Sequence, residues 1–395
     1  MPGVREDIPD LLERTGTSAG MTLDRSPSFS RFVPVILAIA AVCLGWMMAA
    51  SLLADNEWNP SVFVKFPEAK PAELAYGKEI LGDVIPSGGF GHDGKFFFMQ
   101  AMDPFFLSPE DHAAYLDRPT YRAQRMVYPI LAGGFGLLPA QVVSWSLLLV
   151  NIVALGVGTW LTALLARELG LSPWFGLAFL LNPGILVSSV IDTAEVLAML
   201  FVVAAALYLI REKLGLSVVF LTLAALTRET MLLAAVGAIA YVWHKKRSVP
   251  KVLAVPFVAS AVWWLYVRLQ LGHLDESVQD TQALGLPFKG FYEAFQIWIS
   301  QPDSEVDLIV GIVLLVVSIL VAIRAVTDRS LLGLMGAGFV LLAVLMVEGV
   351  WRFYFDASRA LVPVITIYVL TVSASRQRQR RQPERAAVPA NQPSG

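Results

Sequence analysis

The sequence predicts an all-α polytopic membrane protein of about ten transmembrane helices, with a long first extracytoplasmic loop that contains short helices. Three observations lead there. The 395 residues are 56% hydrophobic and only 16% charged, with a mean hydropathy of +0.62; soluble domains run near ~45–50% apolar and ~25% charged. The apolar residues fall in blocks close to the ~20 that cross a hydrocarbon core. The basic residues gather in alternate connections between those blocks. This excludes a cytosolic enzyme, a secreted disulfide scaffold and a disordered chain. The single cysteine, Cys43, allows no intrachain disulfide and no cysteine-based metal cluster.

Residues 1–33 mix Arg5, Arg14, Arg25 and Arg31 with Glu6, Asp7, Asp10, Glu13 and Asp24, and read as a poorly ordered cytoplasmic tail. The transmembrane region then runs over 34–375. Its first apolar block, Pro34–Leu53, is too long for a signal-peptide core and lacks a small-residue cleavage site, so it is a retained span. Further spans are expected near 141–166, 173–190, 192–210, 214–226, 228–243, 250–270, 307–324, 331–348 and 358–375.

The positive-inside rule supports this order. With the N-terminus inside, the inner connections hold Arg167, Arg211, Lys213, Lys245, Lys246, Arg247, Lys251, Arg324 and Arg329. The tail 376–395, basic, cytoplasmic and poorly ordered, adds Arg376, Arg378, Arg380, Arg381 and Arg385. The short outer turns hold only Arg228, Arg352 and Arg359. An even number of spans returns the C-terminus to the inside. Met126–Pro139 carries three glycines and two prolines and is short for a crossing. Counting it as a span would invert every later connection, so 126–139 reads as re-entrant or interface-lying, which requires cover by protein or a wet cavity.

Two outer segments are long. In the first, 54–125, Pro71–Leu81 and Glu110–Arg118 look like short helices. A loop of that length is usually functional. The second, 271–306, is rich in acidic residues.

The informative charges lie at the outer ends of spans, where they are expensive unless paired or facing water. Asp192 and Glu195 occupy one turn, Arg228 and Glu229 a second, and Glu348, Arg352, Asp356 and Arg359 a third. They read either as the wall of one outer site or as ion pairs, Arg228–Glu229 and Asp356–Arg359, that anchor helix ends. In the first loop, Asp93 is flanked by Gly88, Gly89, Gly91 and Gly94 and followed by Phe96, Phe97 and Phe98. This is either a carboxylate open to close backbone approach by a sugar or headgroup, or an Asp-Gly turn before an interfacial aromatic belt. Asp103 follows, then Tyr121, Arg122, Arg125 and Tyr128. Two arginines three apart suit either a bidentate grip on phosphate or a snorkelling anchor. The chain has no P-loop and no HExxH, no GxSxG precedes a helix, and its four histidines are scattered, which argues against an ATPase or a zinc enzyme.

Three stretches in the first loop, Gly91–Phe98 (GHDGKFFF), Ala101–Pro104 (AMDP) and Tyr121–Pro129 (YRAQRMVYP), resemble a bacterial group of integral membrane glycosyltransferases of the GT-C superfamily. Asn182–Pro183, Asp192 and Leu223–Thr230 (LAALTRET) are similar too, and the likeness extends over about 34–375. The resemblance implies a polyprenyl-phosphate-sugar donor, a glycan or lipid acceptor, and inverting transfer at the outer face of the cytoplasmic membrane. It implies Asp93 as the base beside the acceptor. Lys95, Arg122, Arg125 and Arg228 are the candidates for holding phosphate. Asp103, Tyr121, Tyr128, Asp192, Glu229, Glu348 and Arg352 are the candidates for positioning. Lys95 stands where the group has Gln, and Phe97 and Phe98 replace tyrosines, which removes hydroxyls a sugar would use. No ligand spacing argues for a metal, although the carboxylates suit Mg²⁺ or Mn²⁺. A flippase of lipid-linked sugar, or a non-catalytic envelope-assembly protein, is the alternative.

Overall fold

The computed structural model describes residues 29–89, 91–116, 118–274 and 284–386. Most of the N-terminal tail 1–33, the middle of the outer segment 271–306 and the end of the tail 376–395 lie outside the described residues. What is described is helical, with 76% helix and no strand among the described residues. Val33 onward forms one compact unit; of the unit before it, only the first turn of the first helix is described.

The first helix, α1 (Phe29–Ala54), covers the expected first span. The chain after α1 then folds into α2 (Ser61–Val64), α3 (Pro71–Leu81), α4 (Gly94–Met102), α5 (Pro109–Ala113) and α6 (Pro119–Arg122). Pro71, Pro109 and Pro119 open their helices, because a first-turn proline loses no helical hydrogen bond. The stretch after Asp93 is neither a surface belt nor a flat platform for a ligand. It is α4, buried from Gly94 to Ala101, so Phe97 and Phe98 are core residues.

The segment 126–139 forms α7 (Val127–Gly133) and a left-handed exit at Gly134. Seven residues rise only ~10 Å, far short of a bilayer. The helix lies under α4, with Gly133 against the Ala101 carbonyl, where a methyl group would collide.

Beyond Pro139 come α8 (Ala140–Glu168), α9 (Leu177–Leu180), α10 (Pro183–Ser189), α11 (Glu195–Ile210), α12 (Leu214–Thr227), α13 (Leu232–Lys246) and α14 (Val255–Leu271). Next are α15 (Lys289–Ser300), α16 (Glu305–Asp328), α17 (Leu331–Leu345), α18 (Glu348–Trp351), α19 (Tyr354–Ala360) and α20 (Val362–Ala386). The core is α11, buried from Glu195 to Leu207 and packed between α8 and α12. Ala204, Ala205 and Ala206 let its neighbours approach closely, which matters where lipid supplies no hydrophobic drive between helices.

Among the described residues, four helices are long and apolar enough to cross a membrane: Ser30–Ala54, Ala140–Glu168, Lys251–Leu271 and Glu305–Asp328. A fifth is added if α19 and α20, bent by 63°, form one span. On α16, Ile309, Ile312, Val313, Val316, Ile319 and Ile323 all face outward. An apolar stripe turned away from the core belongs in lipid, not water.

The expected span 173–190 is broken into a 3-10 turn (Pro173–Gly176), α9 and α10. Pro183 forces Asn182 into an extended conformation, ψ 118°, which stops α9. Asn182 also fastens the break: its Oδ1 accepts from Gly184 N at 3.1 Å, and its Nδ2 donates to the Val362 carbonyl at 2.9 Å and Thr366 Oγ1 at 3.1 Å. Two helix breaks, at 181–182 and at Leu361, are thereby held together. The expected span 331–348 ends at Leu345, and α20 runs past the expected end at 375 because Arg, Gln and Ala are good helix formers.

Candidate functional site

Asp93 sits at the N-terminus of α4, directed there by two glycines with no spare room. Gly91 has φ +68°, and a Cβ would strike the Lys65 carbonyl; one on Gly94 would meet the Ile191, Phe63 and Val64 carbonyls. These glycines admit other parts of the chain, not a ligand. Gly88 and Gly89 face open space.

The Asp93 carboxylate is clamped. Its Oδ1 accepts from Arg122 Nη1 at 3.0 Å and its Oδ2 from Arg359 Nη2 at 3.1 Å. The Arg122 guanidinium lies 4.0 Å over the Phe96 ring, which orients its fork. Arg359, on α19 and only 5% exposed, also donates to Glu195 Oε1 at 2.9 Å and to Asp356 Oδ1 at 3.2 Å. Glu195, 1% exposed at the start of α11, further accepts from Arg228. Beside it, Arg125 grips Glu229 through two bonds of 3.0 Å and donates to Tyr121 Oη at 2.8 Å. Four guanidinium groups and four carboxylates, drawn from the first loop, α11, the α12–α13 junction and α19, thus form one network.

The network has a buried floor and a wetter rim. Glu195, Arg359 and Arg125 are buried, whereas the side chains of Asp93, Glu229 and Asp356 are about a third exposed or a little less. Glu195 Oε2 and Arg359 Nε are buried without a hydrogen-bond partner among the described residues.

Burial opposes the charge on Asp93, but Arg122 and Arg359 outweigh it and hold the carboxyl well below its usual range. Burial, with Arg359 next, pushes His92 down to about 4. His92 is therefore neutral near pH 7. Its Nδ1 accepts the Asp93 N–H at 3.0 Å, so the ring proton sits on Nε2. In this arrangement Asp93 is an anchored anion and a weak base.

The structure gathers Asp93, Tyr121, Arg122, Arg125, Arg228 and Glu229, and leaves the other expected site residues elsewhere. Lys95 is 2% exposed and turns away to Glu73 Oε2 at 2.5 Å. A lysine in the first turn of a buried helix needs a buried acid, and α3 supplies one. Asp103 accepts from the N–H groups of Leu107 and Ser108, both at 2.9 Å, and shapes a turn. Tyr128 is fully buried; its hydroxyl donates to the Leu147 carbonyl and accepts from Asn151 Nδ2. Asp192 is buried with φ +48°, its carboxylate oxygens without a partner. Glu348 and Arg352 face each other at 3.8 Å on α18 and its C-cap.

Asp356 and Arg359 pair as neighbours should, at 3.2 Å. Arg228 and Glu229 instead take Glu195 and Arg125 as partners. Among the described residues, no three His, Cys, Asp or Glu side chains come together as a metal would need. Sequence reasoning passed over Glu195, Asp356, Arg359 and His92 when choosing within each turn. The advance signal for Glu195, Asp356 and Arg359 was a position at the outer end of a span, and for His92 its place beside Asp93 in the first loop.

Comparison with protein-family models, with curated proteins and with solved structures yields no match for this chain.

Proposed function

We propose that the chain is a ten-span membrane glycosyltransferase of the GT-C kind, in the bacterial inner membrane with both termini cytoplasmic. It moves a hexose or pentose from a polyprenyl phosphate to a cell-envelope glycan or lipid at the outer face. Ten spans follow when the shorter apolar helices α11, α12 and α17 are counted with α13, and each broken pair, α9–α10 and α19–α20, counts once. The observation that carries the reading is the convergence of Arg122, Arg125, Arg228 and Arg359 on Asp93, Glu195 and Glu229 at the outer ends of the helices. Arginine forks suit a phosphate diester, and carboxylates suit sugar hydroxyls.

In the reaction the acceptor hydroxyl oxygen attacks the anomeric carbon from the side opposite the lipid phosphate. The carbon–oxygen bond to phosphate breaks, the lipid phosphate leaves as an anion, and the configuration inverts. The hydroxyl proton passes to a carboxylate, for which Asp93 is the candidate. Without donor, both Asp93 oxygens are held by guanidinium groups. A donor phosphate competing for Arg122 and Arg359 loosens that hold and raises the basicity of Asp93 only when the donor is seated. Base catalysis contributes ~10²–10⁴-fold. No resident metal is needed in this scheme; Mg²⁺ or Mn²⁺ would enter with the donor phosphate.

The experiment is transfer from a radiolabelled polyprenyl-phosphate sugar in membranes containing the Asp93→Asn chain. A fall of ~10²-fold or more at unchanged expression supports the reading; wild-type transfer removes Asp93 as base. One observation favours the flippase alternative, the paired helix breaks at Asn182 and Leu361, since transporters use discontinuous helices. Movement of lipid-linked sugar across proteoliposomes without transfer would decide for it.

A further inference from the structure

We propose that the cavity at the C-terminal end of α4 is a binding site for a neutral saccharide; given the transferase reading, on which this role rests, it holds the acceptor. The cavity measures about 290 Å³, and its lining includes Tyr76, Asp103, Ser108, Asp111, His112 and Tyr115. Tyr76 of α3 and Tyr115 lie with ring centroids 4.6 Å apart and planes inclined by 38°, an aromatic wall of two tilted rings. His112 is 7% exposed and its Nε2 has no hydrogen-bond partner among the described residues. Its ring is fixed edge-on to Phe106 at 4.7 Å. A buried polar atom without a partner is costly, and a ligand hydroxyl removes that cost. Burial pushes His112 down to about 4, so the neutral ring offers hydroxyl chemistry and not a cation.

The charge of the cavity selects the ligand. Two aspartates line it, and no lysine or arginine does. A phosphate is repelled here, while the arginine network at the other end of α4 suits one. Asp103 spends both carboxylate oxygens on backbone N–H groups and keeps the loop in shape. Asp111, Ser108 and His112 are left for a ligand's hydroxyl edge, and the tyrosines for its C–H faces. A few polar groups around an aromatic wall is the usual make-up of a small-molecule site.

Its position fits an acceptor. Asp93 is the N-cap of α4 and Asp103 the C-cap. Nine residues of helix lie between them and set them ~15 Å apart, a span for an oligosaccharide lying along α4 with its end at Asp93.

The test is saturation-transfer NMR on the full chain in lipid nanodiscs, with maltose, cellobiose and mannobiose as neutral probes and glucuronic acid as the anionic one. The expected result is saturation of ring C–H protons in at least one disaccharide and none in glucuronic acid. Binding falls about tenfold, the worth of one lost hydrogen bond, in Asp111→Ala, which alters an exposed side chain. Tyr115→Leu, checked for monodispersity, also weakens it. Absence of signal for every disaccharide, equal signal from glucuronic acid, or signal unaffected by both cavity variants overturns the site. Mn²⁺ binding that Asp111→Ala abolishes, without disaccharide binding, replaces it with a cation site. Binding is read without donor, so a wild-type chain that transfers no sugar would sink the transferase reading and leave a saccharide site standing, whereas full transfer by Asp93→Asn would remove only Asp93 as base.

Discussion

Arg359 and Asp93 stand 266 positions apart in sequence and 3.1 Å apart in the fold. That one contact joins the penultimate helix to the first outer loop. The same guanidinium reaches Glu195 and Asp356, so a single side chain organises three carboxylates.

Removing it has two separable effects. Arg359→Ala leaves Glu195 buried with only Arg228 and lowers stability by ~3–5 kcal/mol, read as an earlier midpoint in denaturant. Arg359→Lys keeps the charge and loses the planar fork. Its folding should stay close to wild type while transfer falls about 10²-fold, the loss typical of one preorganised donor. Equal activity in Arg359→Lys would make this arginine a structural tie alone.

Gly91→Ala should disrupt the first loop. The position combines φ +68° with the Lys65 carbonyl in the place of a Cβ. Left-handed strain alone costs ~1–3 kcal/mol, and the collision adds to it. Gly89→Ala has φ +64° but open space, so it pays the strain only. Limited proteolysis of the loop should cut Gly91→Ala much faster than Gly89→Ala; equal rates refute the packing argument.

Lys95→Met tests whether this lysine holds phosphate. Its partner Glu73 keeps Lys70 at 2.9 Å, so the loss is that of one buried partner, ~1–3 kcal/mol. The KM for the lipid-linked donor should not move. A raised KM with unchanged stability would return Lys95 to the phosphate site.

On mild acidification His92 and His112 lower stability and Asp93 does not, while Asp356, which burial raises to about 6, opposes one of them. The Asp93 carboxyl is lowered, so its contribution is complete above an ordinary carboxylate pKa of ~3.9 and is lost only as pH drops through its own, lower value. His92 and His112 are lowered to about 4. The unfolded chain then binds their protons first, and stability declines as pH falls from ~6.5 towards 4, by up to ~1.4 kcal/mol per pH unit for each. His92→Asn should flatten that slope by one proton in a denaturation series from pH 7 to 4. An unchanged slope would mean that His92 titrates as an exposed histidine.

Much of the secondary structure was legible because its causes are local. Pro71, Pro109 and Pro119 announce helix starts, Gly134 an exit, Pro183 a break. Apolar runs marked α1, α8, α14 and α16, and the glycines and prolines of 126–139 kept α7 from being taken for a crossing. Phe96, Phe97 and Phe98 misled because aromatic residues suit a membrane surface and a core equally well.

Membership of the site was only partly legible. The right turns were visible, since charges at span ends are expensive wherever they occur. Within each turn the choice failed, with Asp192 preferred over Glu195 and Glu348 over Arg359. Which side of a turn faces the common centre depends on the rotation and bend of helices that are far apart in sequence, such as the 63° kink at Leu361. Local chemistry alone determined where the helices run and which residue types crowd the outer ends. Tertiary packing decided which charges meet, that Arg228 takes Glu195 and leaves Glu229 to Arg125, and that Asp93 is held instead of free. The reason is range: propensity and hydropathy act over a few residues, whereas an ion pair is settled by the last few ångströms of three-dimensional placement.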